Sequence, residues 1–184
     1  MDNGEISYRR FLDGDDEGMV ELIRDYKDGL ILYLSGITGN ILLAEEIMED
    51  TFFKLVTKKP KFSGRSSFKT WLYAIGRNSA MDSLRRRARF SDKPLEEYTD
   101  LADELSIEKD YLKEEQKIAL HRALQKLNPD YRQVLYLVFF ENFSNAETAK
   151  IMHKTRRQVE NLLYRAKQSL KSELEKEGFK YEVI

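Results

Sequence analysis

The stretch TRRQVENLLYRAK, from Thr155 to Lys167, carries the side-chain chemistry of duplex DNA recognition. Val159, Leu162, Leu163 and Ala166 recur at helical spacing. The opposite face then presents Arg156, Arg157, Glu160, Asn161, Tyr164, Arg165 and Lys167. Arginine can grip guanine O6 and N7 in a bidentate pair, a glutamate such as Glu160 can accept a hydrogen bond from cytosine N4, and an asparagine such as Asn161 can pair with adenine. Arg156 and Arg157 stand in the first turn, where the positive end of the helix dipole opposes a cation by a few tenths to about 1 kcal/mol. Thr155 and Gln158 form a capping box that satisfies the helix end locally. The arginines therefore have a reason outside the helix: DNA supplies the missing acceptors.

A second cluster lies in KFSGRSSFKTWLYAIGRNSAMDSLRRRAR. Lys69, Tyr73 and Arg77 recur at spacing four with Asn78 adjacent, which gives one helix face a cation, an exposed stacking ring and an amide. Single-stranded nucleic acid is held by such a set. The loop Ser63, Gly64, Arg65, Ser66 and Ser67 can hydrogen-bond the edge of a flipped base. Ser66 or Ser67 can also cap the helix that follows. Arg85, Arg86, Arg87 and Arg89 supply phosphate contacts, which add affinity without sequence information, and Asp82 can brace Arg85 or Arg86. Phe68, Leu72, Ile75 and Leu84 face a core, and Trp71 reads as core as well. A third cluster is in LLAEEIMEDTFFKLVTKK. Ala44, Ile47, Met48, Thr51, Phe52 and Leu55 make its buried stripe. Glu46, Glu49, Asp50 and Phe53 make the other, and an aromatic ring among carboxylates fits a protein partner that sets basic residues around an apolar pocket.

These clusters need helices to hold them. Apolar residues recur at three and four throughout, and the spacing predicts helices near 16–34, 41–58, 66–89, 107–127, 130–141, 144–152 and 156–175. Asn128 precedes Pro129 and can cap the helix it opens, and Ser144 with Glu147 forms another capping box. A short capped helix and a long capped helix joined by a tight turn at His153 and Lys154 suggest a helix-turn-helix. Ala149 is small where the two must cross. The stretch FSDKPLEEYTDLADELS, Phe90 to Ser106, is acidic and breaks the periodicity. The fold class is all-α: two small helical domains, residues 1–90 and 112–176, joined by an acidic linker, 91–111, with a tail at 177–184.

Charge is segregated along the chain. Residues 61–93 carry nine basic and two acidic side chains, and residues 150–176 carry eight and three. Between them residues 94–120 carry three basic and nine acidic ones. Two basic blocks on helical motifs point to two contacts with a polyanion. There is no cysteine and only two histidines, so no disulfide framework, metal centre or cofactor is expected. No stretch approaches the ~20 apolar residues of a membrane span, and MDNGEISYRR lacks the order of a secretory signal. A cytoplasmic, non-enzymatic protein without membrane insertion is expected.

In order and spacing, AEEIMEDTFFKLV, FSGRSSFKTWLYAIGRNSAMDSLRRR, LNPDYRQVLYLVFFENFSNAETAKIM and VENLLYRAKQSL resemble the sigma-70 family of bacterial RNA polymerase sigma factors, in its extracytoplasmic-function (ECF) group. The resemblance covers most of residues 16–175. It implies that Glu46, Glu49, Asp50 and Phe53 meet the β′ clamp helices of core polymerase. It places Ser63 to Ser67, Lys69, Tyr73, Arg77, Asn78 and Arg85 to Arg87 at the melted −10 element. It places Thr155, Arg156, Arg157, Glu160, Asn161, Tyr164, Arg165 and Lys167 at the −35 duplex. It further implies a β flap contact for the second domain, an anti-sigma factor as partner, and an acidic linker that runs through a basic channel of the polymerase. Some positions depart from the usual pattern. His153 stands where the family often has glycine; if the backbone there is left-handed, histidine is tolerable but strained. Glu160 and Leu162 stand where basic residues are common, and Leu162 would extend the buried face. Ser79 replaces a commonly apolar residue. A stand-alone helix-turn-helix regulator would explain residues 120–175 but leave the first half without a role.

Overall fold

The computed structural model describes residues 2–90, 111–176 and 178, with the backbone alone described at 90 and 111–118. The described residues are helical, with no strand among them. The N-terminal unit comprises α1 (Asn3–Leu12), α2 (Glu17–Thr38), α3 (Ile41–Lys58) and α4 (Phe68–Phe90). The C-terminal unit comprises α5 (Tyr111–Lys126), α6 (Pro129–Leu135), a π-helical turn (Tyr136–Phe140), α7 (Asn145–Met152) and α8 (Arg156–Lys176). The expected linker, residues 91–110 in particular, lies outside the described residues, as does the start of the helix expected from 107.

Local chemistry sets most helix ends. Asn40 Oδ1 accepts from the Leu43 N–H at 2.9 Å to open α3, and Asn128 Oδ1 accepts from Tyr131 N–H at 2.9 Å to open α6, with Pro129 in its first turn. α2 ends on Gly39 at φ 69°, whose N–H returns to the Ser35 carbonyl at 2.8 Å. Ser67, of the two serines expected to cap α4, takes the role: its hydroxyl accepts from Thr70 N–H at 3.2 Å.

Two expectations need correction. α1 falls where no helix is expected. Its apolar residues are few, but Tyr8 and Phe11 are buried, and Asp2 anchors it by accepting from both Glu5 N–H (2.8 Å) and Phe68 N–H (2.7 Å). One carboxylate thus holds the starts of α1 and α4 together. α1 and α2 approach so closely at Gly18 that a Cβ there would lie 2.2 Å from the Ser7 carbonyl oxygen. The second correction is at 130–141, which is not one α-helix. α6 gives way after Leu135 to the π turn, in which the Glu141 N–H bonds the Tyr136 carbonyl at 3.1 Å. The Tyr136 and Phe140 rings stack at 5.1 Å across that wider turn.

The N-terminal core packs α2 against α1, α3 and α4, with an aromatic cluster of Tyr8, Phe62, Phe68 and Trp71. The expected core position of Trp71 holds: it is half-buried within that cluster. Burial pushes the Tyr8 hydroxyl up to about 12, and it donates to the Pro60 carbonyl. In the C-terminal unit α8 packs against α5, α6 and α7. The two units also pack on each other, α2 on α6 and α4 on α7, and buried residues from both form one contiguous core.

Candidate nucleic-acid and polymerase interfaces

α7 and α8 form a helix-turn-helix with both expected capping boxes. Ser144 and Glu147 satisfy each other's backbone N–H groups at the start of α7. At the start of α8, Gln158 N–H donates to Thr155 Oγ1 (3.2 Å) and Thr155 N–H donates to Gln158 Oε1 (2.8 Å). The turn is made by His153 in left-handed backbone, φ 53° and ψ 45°, at the position where the resemblance has glycine. Val159 and Ala166 point into the core and Leu162 packs against it. Thr155, Arg156, Arg157, Glu160, Asn161, Tyr164, Arg165 and Lys167 all lie exposed on the other side, Tyr164 at 67%. Within that face Arg156 Nε donates to Glu160 Oε1 at 2.9 Å. Glu160 therefore offsets the arginine that the helix dipole disfavours, and a DNA contact by either residue must replace this exposed pair, which is worth about 0–1 kcal/mol. Lys167 Nζ sits 5.0 Å from the ring centre of Phe139, itself exposed.

The outer stripe of α3 is exposed throughout: Glu46, Glu49, Asp50 and Phe53, the ring 65% exposed. The stripe is more apolar than its sequence suggested, because Leu42 (72% exposed) and Val56 lie on it, one turn before Glu46 and just past Phe53. Their helical spacing was available as a signal. A polar groove between α3 and α4 links this stripe to the arginine run, lined by Glu46, Asp50, Lys54, Ser79, Arg85 and Arg86. Ser79 is buried there and accepts from Lys54 Nζ at 2.8 Å, so the unusual serine anchors a lysine from α3. Arg85, Arg86, Arg87 and Arg89 are exposed; Asp82 braces Arg85 at 3.2 Å, and Arg87 reaches Glu46 at 3.6 Å.

The face of α4 differs from expectation. Ser63, Gly64 and Arg65 are exposed and Ser66 and Ser67 half-buried, but the ring expected to stand open for stacking is closed off: Tyr73 is 1% exposed. It packs on Tyr33 at 5.4 Å and meets Phe143 edge-on at 5.1 Å. Burial, then the nearby Glu141 carboxylate, pushes its hydroxyl far above the ordinary phenol range. Lys69 and Arg77 are half-buried beside it, and Asn78 is exposed.

Residues 22–90 match the family model for sigma-70 region 2, and residues 117–170 match that for sigma-70 region 4. The chain belongs to the sigma-70 family. Its relatives place it in the extracytoplasmic-function group. It is 27% identical to the RNA polymerase sigma factor YlaC of Bacillus subtilis over 87% of this chain and 94% of that one. It is 26% identical to the ECF RNA polymerase sigma factor SigX of the same species, over 86% and 85%. A likeness of fold extends to the sigma factor RpoE of Bartonella quintana, solved with the anti-sigma factor NepR (TM-score 0.69, 23% identity, 84% of this chain and 95% of that one). This protein is thus a sigma factor acting with RNA polymerase rather than a stand-alone regulator. The helix-turn-helix lies within the region 4 match, and α3 with the face of α4 lies within region 2. Among the described residues no helix is long and apolar enough to cross a membrane.

Proposed function

We infer that residues 1–90 dock this sigma factor on core polymerase and hold the melted −10 strand, while residues 112–176 read the −35 duplex and touch the β flap. The observation that carries this reading is the pairing of surface with match. Each matched region ends in a long helix rich in cations, α4 and α8. Only the first region adds an exposed acidic and apolar stripe on α3.

On that stripe Glu46, Glu49, Asp50 and Phe53 meet the β′ clamp helices, and Leu42 and Val56 enlarge the apolar contact. Carboxylates at the rim steer a basic partner surface, and the desolvated Phe53 ring anchors it. On α4, Lys69, Tyr73, Arg77 and Asn78 with the loop Ser63–Ser67 take unstacked −10 bases, and Arg85, Arg86 and Arg87 run along phosphates. On α8, Arg156, Arg157 and Arg165 grip guanines or phosphates, Glu160 and Asn161 add base contacts, and Thr155, Tyr164 and Lys167 flank them. The acidic linker at 94–106 carries its charge toward the template-strand channel. The chain supplies no catalysis; the polymerase does the chemistry, in the cytoplasm. An anti-sigma factor is a further partner, supported by the complex in which the similarly folded RpoE was solved.

The test is co-purification with core polymerase followed by run-off transcription on genomic promoters. Specific transcripts that require both proteins are expected. No binding to core polymerase would overturn the reading.

A further inference from the structure

The outer face of α8 holds one charge pair, made by residues a single turn apart. Arg156 Nε donates to Glu160 Oε1 at 2.9 Å. Both side chains are open to solvent, 73% and 44% exposed. Among the described residues neither Arg157 nor Arg165, the other arginines of that face, is paired with a carboxylate. One arginine of the three therefore carries its own counter-anion, and that counter-anion stands on the face turned to DNA.

Duplex DNA carries one negative charge about every 1.7 Å of its axis. A phosphate that takes Arg156 from Glu160 leaves the carboxylate unpaired among other phosphates. The loss offsets the gain, so Arg156 adds little to sequence-independent binding, whereas Arg157 and Arg165 add fully. A base step can compensate both halves of the pair. Guanine offers O6 and N7 to the guanidinium, and cytosine offers N4–H to the carboxylate. Cytosine is the one base whose polar major-groove edge is a donor alone; adenine sets the N7 acceptor beside N6–H, and N7 repels a carboxylate. Residues four apart on a helix are separated by ~6 Å along its axis, less than two base-pair steps of ~3.4 Å. The guanine and the cytosine therefore lie in one base pair or in neighbouring pairs.

We propose that Glu160 is a specificity-determining residue of this sigma factor: it surrenders Arg156 to a guanine only where a cytosine N4 takes the place of the guanidinium at its carboxylate. This inference rests on the reading of α8 as the −35 reader and adds the base that the carboxylate selects. The pair is exchanged rather than lost. One charge-assisted bond in the free protein becomes a guanidinium–guanine pair and a carboxylate–cytosine bond in the complex. The effect falls mainly on wrong sequences. Without the cytosine, Glu160 stands unpaired in the groove; without the guanine, Arg156 stays with Glu160. A polar group left without its partner rejects a wrong sequence more strongly than a made contact rewards the right one. Arg157 and Arg165 supply affinity that does not depend on this choice.

The test is selection by holoenzyme, assembled from core polymerase and the full chain, on promoter duplexes with a randomised −35 region, followed by affinities across a salt series. The parent should enrich a guanine and a cytosine on one pair or on neighbouring pairs. Replacing that cytosine should weaken its binding about fivefold or more. Glu160→Ala should reduce this loss to less than about twofold. It should also bind unselected duplex about threefold more tightly, with a salt slope steeper by about one unit as Arg156 becomes free for a phosphate. Glu160→Gln should move the preference at the same position from cytosine to adenine, because glutamine pairs with adenine N6 and N7. A residue that merely supported the fold would not exchange one base for another. Alanine and glutamine are both good helix formers and position 160 is exposed, so α8 is kept in both variants. A cytosine preference that survives in either variant, or unselected duplex bound no more tightly by Glu160→Ala, overturns the role of Glu160 while leaving α8 as the reader. If Arg156→Ala with Arg157→Ala also leaves −35 selection untouched, the −35 assignment of α8 falls too, so the two readings fail separately.

Discussion

Two cation-bearing helix faces, on α4 and on α8, meet opposite fates in one chain. On α8 the side chains face solvent, and the one pair among them, Arg156 with Glu160, is local and exposed. On α4 the cations and the ring are committed to Glu141, Gln133 and Phe143 of the other unit. Exposed pairs are worth about 0–1 kcal/mol and yield readily to DNA. Half-buried partners fixed by a shared apolar core do not yield one at a time. Similar residue types therefore stand open in one place and covered in the other. The difference comes from packing rather than from composition.

The largest effect should come from breaking the covered side. Phe143 is 4% exposed, edge-on to Tyr73 and beneath Lys69, whose Nζ is 4.9 Å from the ring centre. Phe143→Ala should lower stability by about 3–5 kcal/mol in urea unfolding, the range for buried aromatic truncation. A loss under about 1 kcal/mol would mean that the ring is not buried in solution and that the two faces do not differ.

The poised side should answer differently. Arg156→Ala with Arg157→Ala should leave folding intact, because both side chains are exposed. Removing each bidentate grip on a guanine should cost about 1–3 kcal/mol of discrimination at the −35 duplex. The slope of log affinity against log salt should flatten by about one unit for each phosphate no longer neutralised. Holoenzyme binding across a salt series reads both quantities. An unchanged affinity and slope would remove α8 as the reader.

What could be read in advance divides along the same line. Asn128, Ser144 and Thr155 were legible as caps because capping is local chemistry within four residues. The exposed faces of α3 and α8 were legible because a 3.6-residue period separates two sides of one helix. Tyr73 recurs with Lys69 and Arg77 at spacing four, but periodicity cannot say that α2 and the C-terminal unit close over its ring, which is buried rather than exposed. The rings that bury it are Tyr33, 40 positions before it in the same unit, and Phe143, 70 positions after it in the other. The π turn escaped because a five-residue return leaves no mark in a pattern of threes and fours. α1 escaped because its place depends on Asp2 reaching Phe68.

Acid should loosen the contact of α7 with the start of α4 through Glu147. Burial opposes its charge, but hydrogen bonds from Ser144, Thr70 and Ser67 outweigh that and hold its carboxyl below the usual range. A depressed carboxylate contributes stability above the unfolded value near 4.3 and loses it as pH falls through the folded value. Thermal stability should therefore be flat in this contribution from pH 8 to about pH 5 and decline below about pH 4.3. Glu147→Gln retains a capping-box side chain and should remove that part of the decline. An identical pH profile in the variant would show that Glu147 carries no charge-dependent contact between the two units.

The smallest effect tests whether the helix-turn-helix turn bears strain for the sake of its contact with Asn78 on α4. Left-handed backbone costs a residue with a Cβ about 1–2 kcal/mol, which glycine escapes. His153 accepts that cost and gains a hydrogen bond to Asn78, worth about 0.5–1.5 kcal/mol. In His153→Gly the two changes oppose, so the melting temperature should move by no more than about 4 °C. His153→Ala keeps the strain and loses the bond, so it should melt below both the parent and His153→Gly. The bond accounts for the parent's advantage over alanine only if Asn78→Ala abolishes it. A double-mutant cycle over positions 78 and 153 measures that coupling apart from the backbone cost. A coupling near zero would leave the left-handed histidine as a feature of α7 and α8 alone.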